Sequence, residues 1–206
     1  DNWVFGAAGC GTCNGRLSFL KDASGQMVFI YDALGNVVMA SLNVGGGVSY
    51  LVNYTYDQAG NRTKLTYPSG RIVNYSLDDL GRVSGITTQL DAASPALPVV
   101  SNVNYQPFGP ATSFTYGNGL QQAIDYDLDY RVSEIKTGAT GEVMNTQYDY
   151  DQVNNITEIA DALVAGNRQN FDYDALNRLT SAIGSYGTLG YTYDGVGNRL
   201  TQTFNS

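Results

Sequence analysis

The sequence predicts an all-β fold, a spiral β-solenoid of stacked antiparallel hairpins with about eight repeats, and three observations carry that prediction. Tyrosine and glycine are abundant, at 16 and 24 of 206 residues. The first favours pleated, half-buried surfaces and the second favours turns. Charged residues make up only 15% of the chain, against ~25% in ordinary globular domains. A Tyr-Asp hexapeptide also recurs along the sequence at hairpin spacing.

Residues 1–30 read as a lead-in. It contains one Cys-x-x-Cys, Cys10 and Cys13, which are the only cysteines. A zinc site needs four ligands, and the sequence has no second pair and no histidine. A local Cys10–Cys13 disulfide or two inert thiols is the expectation, with an inter-chain, shared-metal or redox role as the alternative.

The hairpin array is expected over 31–206. Its clearest units are Tyr31-Asp32-Ala33-Leu34-Gly35-Asn36, Tyr56-Asp57-Gln58-Ala59-Gly60-Asn61 and Tyr193-Asp194-Gly195-Val196-Gly197-Asn198. Looser units begin at Leu77, Tyr126, Tyr150 and Tyr173, and a decayed one runs Tyr105-Gln106-Pro107-Phe108-Gly109-Pro110. Successive units lie 20 to 28 residues apart. Asp, two variable residues and Gly fit a type I turn closed by a left-handed residue in a G1 bulge. The turn residues so assigned are Asp32 and Gly35, Asp57 and Gly60, Asp78 and Gly81, Asp127, Asp151 and Asn154, Asp174 and Asn177, and Asp194 and Gly197. Asn154 and Asn177 replace glycine because asparagine accepts the left-handed region next most readily. Tyr130 breaks the rule, so a different turn or local strain is expected there.

Before the turns, aromatics alternate as Tyr54/Tyr56, Tyr148/Tyr150, Phe171/Tyr173 and Tyr191/Tyr193, which puts each pair on one strand face. A lone hairpin is marginal in water and must stack on its neighbours. Residues 87–101, with Pro95 and Pro98, read as a surface loop, and Gly45-Gly46-Gly47 as a kink. Repeats on both sides of each favour a single domain over two.

Composition narrows the function. A net charge of -8 gives no footprint for nucleic acid or an anionic membrane, and no stretch is long and apolar enough to span a bilayer. The absence of histidine excludes any triad with a histidine base. No cofactor is expected. Asp125/Asp127/Asp129, Asp149/Asp151 and Asp172/Asp174 could bind a cation or act on a glycan. An active site is needed once and a turn eight times, so turn closure is the expectation for the motif aspartates. Tyrosine rows are expected to pack as a structural ladder, with surface glycans as the alternative partner.

These residues resemble the YD repeats of the Rhs family, shared with the C component of Tc insecticidal toxins, wall-associated bacterial proteins and animal teneurins. The resemblance covers roughly 31–200. It implies a spiral of hairpins forming a hollow shell, which in toxin members encloses a C-terminal effector and in teneurins supports cell-surface contacts; some members are associated with carbohydrate binding. The self-cleaving core that follows the repeats in toxin members, with its Asp-Pro-x-Gly motif, does not appear before Ser206. The expectation is a non-catalytic wall segment of a secreted or surface-exposed protein, extracellular or at the cell surface. Its partners would be further repeats of the same or a neighbouring chain through open sheet edges, and an enclosed effector. The alternatives are a self-assembling filament subunit and an adhesion or carbohydrate-binding module.

Overall fold

The computed structural model describes residues 2–5, 12–45 and 47–205. Among them are 18 β-strands and no helix. The chain divides into two compact units, residues 1–103 and 104–206. The division falls inside a strand, where no Pro- or Gly-rich linker marks it in the sequence.

In the first unit, β1 (Asn2–Phe5), β2 (Leu17–Lys21), β3 (Gly25–Tyr31), β4 (Val37–Val44), β5 (Val48–Tyr56), β6 (Arg62–Thr66), β7 (Ile72–Leu77), β8 (Val83–Gln89) and the start of β9 (Leu97–Tyr105) pair antiparallel in chain order. The second unit repeats the meander with β10 (Ala111–Tyr116), β11 (Gln121–Tyr126), β12 (Val132–Thr137), β13 (Met144–Tyr150), β14 (Ile156–Asp161), β15 (Arg168–Tyr173), β16 (Leu179–Gly184), β17 (Gly187–Tyr193) and β18 (Arg199–Asn205). Antiparallel neighbours joined by short turns are the low-cost solution for strands of four to nine residues whose apolar positions alternate.

The array starts earlier than residue 31, since β2 and β3 already form a hairpin with Phe19 opposite Val28. The loop expected over 87–101 is shorter, because β8 runs to Gln89 and β9 begins at Leu97. Pro98 sits opposite Thr87 beside a register shift between Ile86 and Thr87. Proline cannot donate to a ladder, and a bulge is where a strand tolerates it.

Register places like side chains together. Ile124 faces Ile135 and Tyr148 faces Ile159, while Phe171, Ala182, Leu189 and Phe204 form a continuous row across four strands. The core is thin all the same. Among the described residues only Cys13, Leu65, Ile72, Ala160 and Ala182 are buried apolar side chains. Much of what specifies the fold must therefore lie in backbone pairing and in the turns.

Candidate functional site: the aspartate-turn rim

In each unit the aspartate turns lie along one end of the strands. Each has the same construction. At 57–61, the Gly60 N–H donates to the Asp57 carbonyl at 3.2 Å, and the Asp57 N–H donates to the Asn61 carbonyl at 2.9 Å. The same two bonds close the turns at Asp32, Asp78, Asp127, Asp151, Asp174 and Asp194, and also the decayed turn at Gln106. The residue before each aspartate carries a register shift, at Tyr31, Tyr56, Leu77, Tyr126, Tyr150, Tyr173 and Tyr193. A shift of one residue at a left-handed closing position is the geometry of a bulged hairpin turn.

The aspartate is the centre of each turn. One carboxylate oxygen of Asp174 accepts the N–H groups of Leu176 and Arg178, at 2.9 and 3.0 Å, and the other accepts Nε of Arg178 at 2.7 Å. Where asparagine stands in the last place its side-chain amide makes the same bond, as Asn198 does to Asp194 at 2.9 Å. These bonds favour the ionised form and hold every motif carboxyl below its ordinary 3.8. For Asp32, Asp57 and Asp194 the asparagine side chain is the main cause. For Asp78 and Asp174 it is the backbone N–H of Arg82 and Arg178. At Asp127 and Asp151 partial desolvation is the largest influence and acts upward, but the bonds from Arg131 and Asn155 together outweigh it.

Left-handed φ values occur where the turn needs them, at Gly35, Gly60, Gly81, Asn154, Asn177 and Gly197. Tyr130 is the correction. It has φ 61° in a turn with the ordinary bonds, contrary to the expectation of a different turn. A left-handed tyrosine costs roughly 1–2 kcal/mol locally. Three bonds to the Asp127 carboxylate hold the backbone there, and the Tyr130 ring lies over Gly109, where a Cβ would fall 2.8 Å from the ring edge.

Two features join one turn to the next, and sequence reasoning missed both. The motif tyrosine donates its hydroxyl to the first strand carbonyl after the preceding turn: Tyr31 to Leu17, Tyr56 to Val37, Tyr126 to Ala111, Tyr150 to Val132, Tyr173 to Ile156 and Tyr193 to Leu179, at 2.7 to 2.9 Å. The last turn residue, Asn or Arg, reaches onto the closing residue of the following turn. Arg131 donates to the Asp151 carbonyl and to Asn154 Oδ1, Asn155 donates to Asn177 Oδ1, and Arg178 donates to the Asp194 carbonyl. Asn36, Asn61 and Arg16 lie against Gly60, Gly81 and Gly35. The guanidinium groups of Arg131 and Arg178 also sit over the Tyr150 and Tyr193 rings, at 4.6 and 4.8 Å.

Arg16 thus occupies the slot of a further, degenerate turn at 13–16, closed by the Arg16 N–H on the Cys13 carbonyl. Its signal was present in Gly15-Arg16-Leu17, which parallels Gly81-Arg82-Val83. Cys13 is 3% exposed and is not a free thiol; Cys10 lies outside the described residues.

The other candidate carboxylates do not converge. Asp125 pairs with Lys136 at 2.9 Å, Asp127 is spent in its turn, and Asp129 is exposed beside Arg131. Lys136 also meets Glu134 at 2.8 Å, and these two bonds push its amine up to about 12. No group of three or more His, Cys, Asp or Glu side chains able to hold a metal occurs among the described residues.

The rim defines a class: a structural repeat protein in which, within each unit, successive hairpins are joined through Tyr-Asp turns. Residues 56–93 match the RHS Repeat family model. The chain superposes on the crystal structure of TcdB2-TccC3-Cdc42 with a TM-score of 0.82 and 19% identity, covering 94% of this chain and 12% of that chain. On the Photorhabdus luminescens Tc holotoxin pore structure the TM-score is 0.81 with 19% identity, over 92% of this chain and 11% of that one. On TcdB2-TccC3 without its hypervariable C-terminal region it is 0.82 with 20% identity, over 92% and 12%. Comparison with curated proteins by sequence gives no match. Residues 56–93 carry an RHS repeat, and the chain shares the fold of these structures while spanning about an eighth of their chains.

Proposed function

We propose that the chain is a non-catalytic wall segment of a secreted or surface-exposed Rhs protein, part of a hollow β-shell that encloses or displays an effector. The observation that carries this reading is the use of the repeated polar side chains. The motif tyrosines, aspartates and last-place Asn or Arg residues are engaged in joining turn to turn, which is what a wall requires and what a catalytic or sugar-stacking surface would forgo. The fold likeness to chains of Tc complexes, one of them described as lacking its hypervariable C-terminal region, supports the same reading. That Cys13 is not a free thiol suits an extracellular location.

The test is cryo-electron microscopy of the native longer product together with limited proteolysis. The reading expects density enclosed by the wall and a segment of chain that resists protease until the wall is unfolded. A wall with an empty interior and no protected segment would overturn it.

A further inference from the structure

Seven of the eight motif positions before the turns are tyrosine, and the eighth is Leu77. Register shows what this departure leaves behind. At the turn end of β12 and β13 the ladder begins with Glu134 opposite Gln147; Val132 lies two residues before that pair, Tyr150 three after it, and the Tyr150 hydroxyl donates to the Val132 carbonyl. Between β4 and β5 it begins with Met39 opposite Asn53, and Tyr56 is joined to Val37 in the same way. Between β6 and β7 it begins with Lys64 opposite Asn74, which makes the Arg62 carbonyl the equivalent acceptor and Leu77 the equivalent donor position. Leucine has no donor and is too short to reach across. A cleft of about 350 Å³ opens there instead, lined by Tyr56, Asn61, Arg62, Tyr75, Leu77 and Val83.

We propose that this cleft is a binding site for a small phenol, whose ring takes the place of the motif tyrosine ring and whose hydroxyl donates to the Arg62 carbonyl. Three observations select that ligand. The first is precedent within the chain: at six equivalent slots the occupant is a phenol that donates to the equivalent carbonyl at 2.7 to 2.9 Å. The second is the wall. The Arg62 guanidinium lies over the Tyr75 ring at 5.0 Å, donates to its hydroxyl at 3.4 Å and meets no carboxylate among the described residues. A ring beside a guanidinium that no carboxylate neutralises attracts a further ring by edge contact and by cation–π interaction. Val37, Val132, Ile156 and Leu179 hold the place of Arg62 at other turns, so two departures from the repeat meet in this one cleft. The third is size and access. The volume lies at the low end of the ~300–1,000 Å³ usual for small-molecule sites. Both β6 and β7 are paired on each side, so a peptide finds no free edge on which to add a strand.

All of these groups belong to consecutive hairpins of the first unit. What the slot accepts is set by the chemistry of the repeat itself rather than by how much surface lies open around it. The inference is therefore independent of whether the wall encloses an effector.

The experiment is a titration of the chain with p-cresol followed by amide NMR. The expected result is one saturable site, with shifts confined to residues 56–62 and 75–83. The ether p-methylanisole keeps the ring and loses the donor, and should bind roughly fivefold more weakly, the factor that one hydrogen bond contributes. Leu77→Tyr supplies the phenol from within the chain. It should weaken p-cresol binding by roughly tenfold or more and raise the melting temperature, whereas Leu77→Phe, which fills the cleft without the donor, should weaken binding and raise the melting temperature less. A longer product carrying this segment should bind p-cresol as the chain does, since a tyrosine from another stretch seated in the slot would block it. The proposal is overturned by the absence of saturable shifts, by equal affinity for p-methylanisole, by a Leu77→Tyr variant that binds like the parent or melts below it, or by a longer product that does not bind.

Discussion

Replacing the motif tyrosines with phenylalanine isolates the joint between turns. Tyr150 donates its hydroxyl to the Val132 carbonyl at 2.8 Å while its ring lies under Arg131. Tyr150→Phe keeps the ring and removes only the bond, leaving a half-buried carbonyl unpartnered. Such a loss costs about 1–2 kcal/mol. With a urea slope of ~2 kcal/mol per M, the unfolding midpoint falls by ~0.5–1 M. Tyr148 lies two residues earlier on the same strand face, and its hydroxyl has no partner among the described residues. Tyr148→Phe should move the midpoint by no more than a surface substitution does, within ~0.5 kcal/mol. Successive joints lie ~9.6 Å apart, far enough for their effects to add. Phenylalanine at Tyr126, Tyr150, Tyr173 and Tyr193 together therefore removes ~4–8 kcal/mol, most of the 5–15 kcal/mol that a folded domain has. Urea denaturation followed by circular dichroism reads all of these. Equal small shifts for Tyr148→Phe and Tyr150→Phe, or a quadruple variant with the parent's midpoint, would refute the reasoning.

Burial raises the hydroxyl pKa of Tyr56, Tyr126, Tyr150 and Tyr173 above the ordinary 10.0. The neutral form is thus favoured in the fold, and the associated stability is complete below pH 10 and lost as pH rises through the folded values; a pH series of melting temperatures should fall there and flatten in a variant with phenylalanine at Tyr56, Tyr126, Tyr150 and Tyr173. The motif aspartates have the opposite sign: their pKa values are depressed from 3.8, so their contribution is present above that pH and lost as acid titrates the folded carboxylates, with melting temperature dropping below pH ~4. Arg131→Lys keeps the charge but loses the fork that spans Asp127 and the next turn, and should lower the melting temperature, whereas Arg199→Lys, with only a distant ring contact, should not. Tyr130→Asn should stabilise by ~0.5–1 kcal/mol through relief of its left-handed backbone. Gly109→Ala should destabilise the parent, where the new Cβ meets the Tyr130 ring, and should cost much less in the Tyr130→Asn background.

The turns were legible because their chemistry is local. Asp57, Gly60 and Asn61 lie within five residues, and each type has one reason to stand where it does. The joints were not legible, because Tyr150 and Val132 are 18 residues apart and Arg131 and Asn154 are 23 apart. No periodicity within a strand announces such a bond. Tyr130 misled for a related reason. Judged by its own backbone it is unfavourable, and Gly109, which makes room for its ring, becomes a neighbour only once the hairpins are stacked. The exposed tips at Leu128 and Phe108 were visible as apolar letters within a turn motif, but the sequence does not say which letters the fold leaves uncovered.

The last turn position shows why a repeat this loose still gives one register. It alternates between Asn and Arg, which share neither charge nor size, yet each supplies two donors that can point in different directions. One bonds the aspartate of its own turn, and in several turns the other bonds the next turn: Asn155 reaches Asp151 and Asn177, and Arg178 reaches Asp174 and the Asp194 carbonyl. A strand slipped by one residue would carry its tyrosine hydroxyl to the opposite sheet face and its last-place donor off the neighbouring turn. With so few fully buried side chains to penalise that slip, these paired bonds are what make it costly. The side-chain identities that matter are then the aspartate that accepts and the tyrosine and last-place Asn or Arg that donate, which is why these recur while the two residues after the aspartate drift.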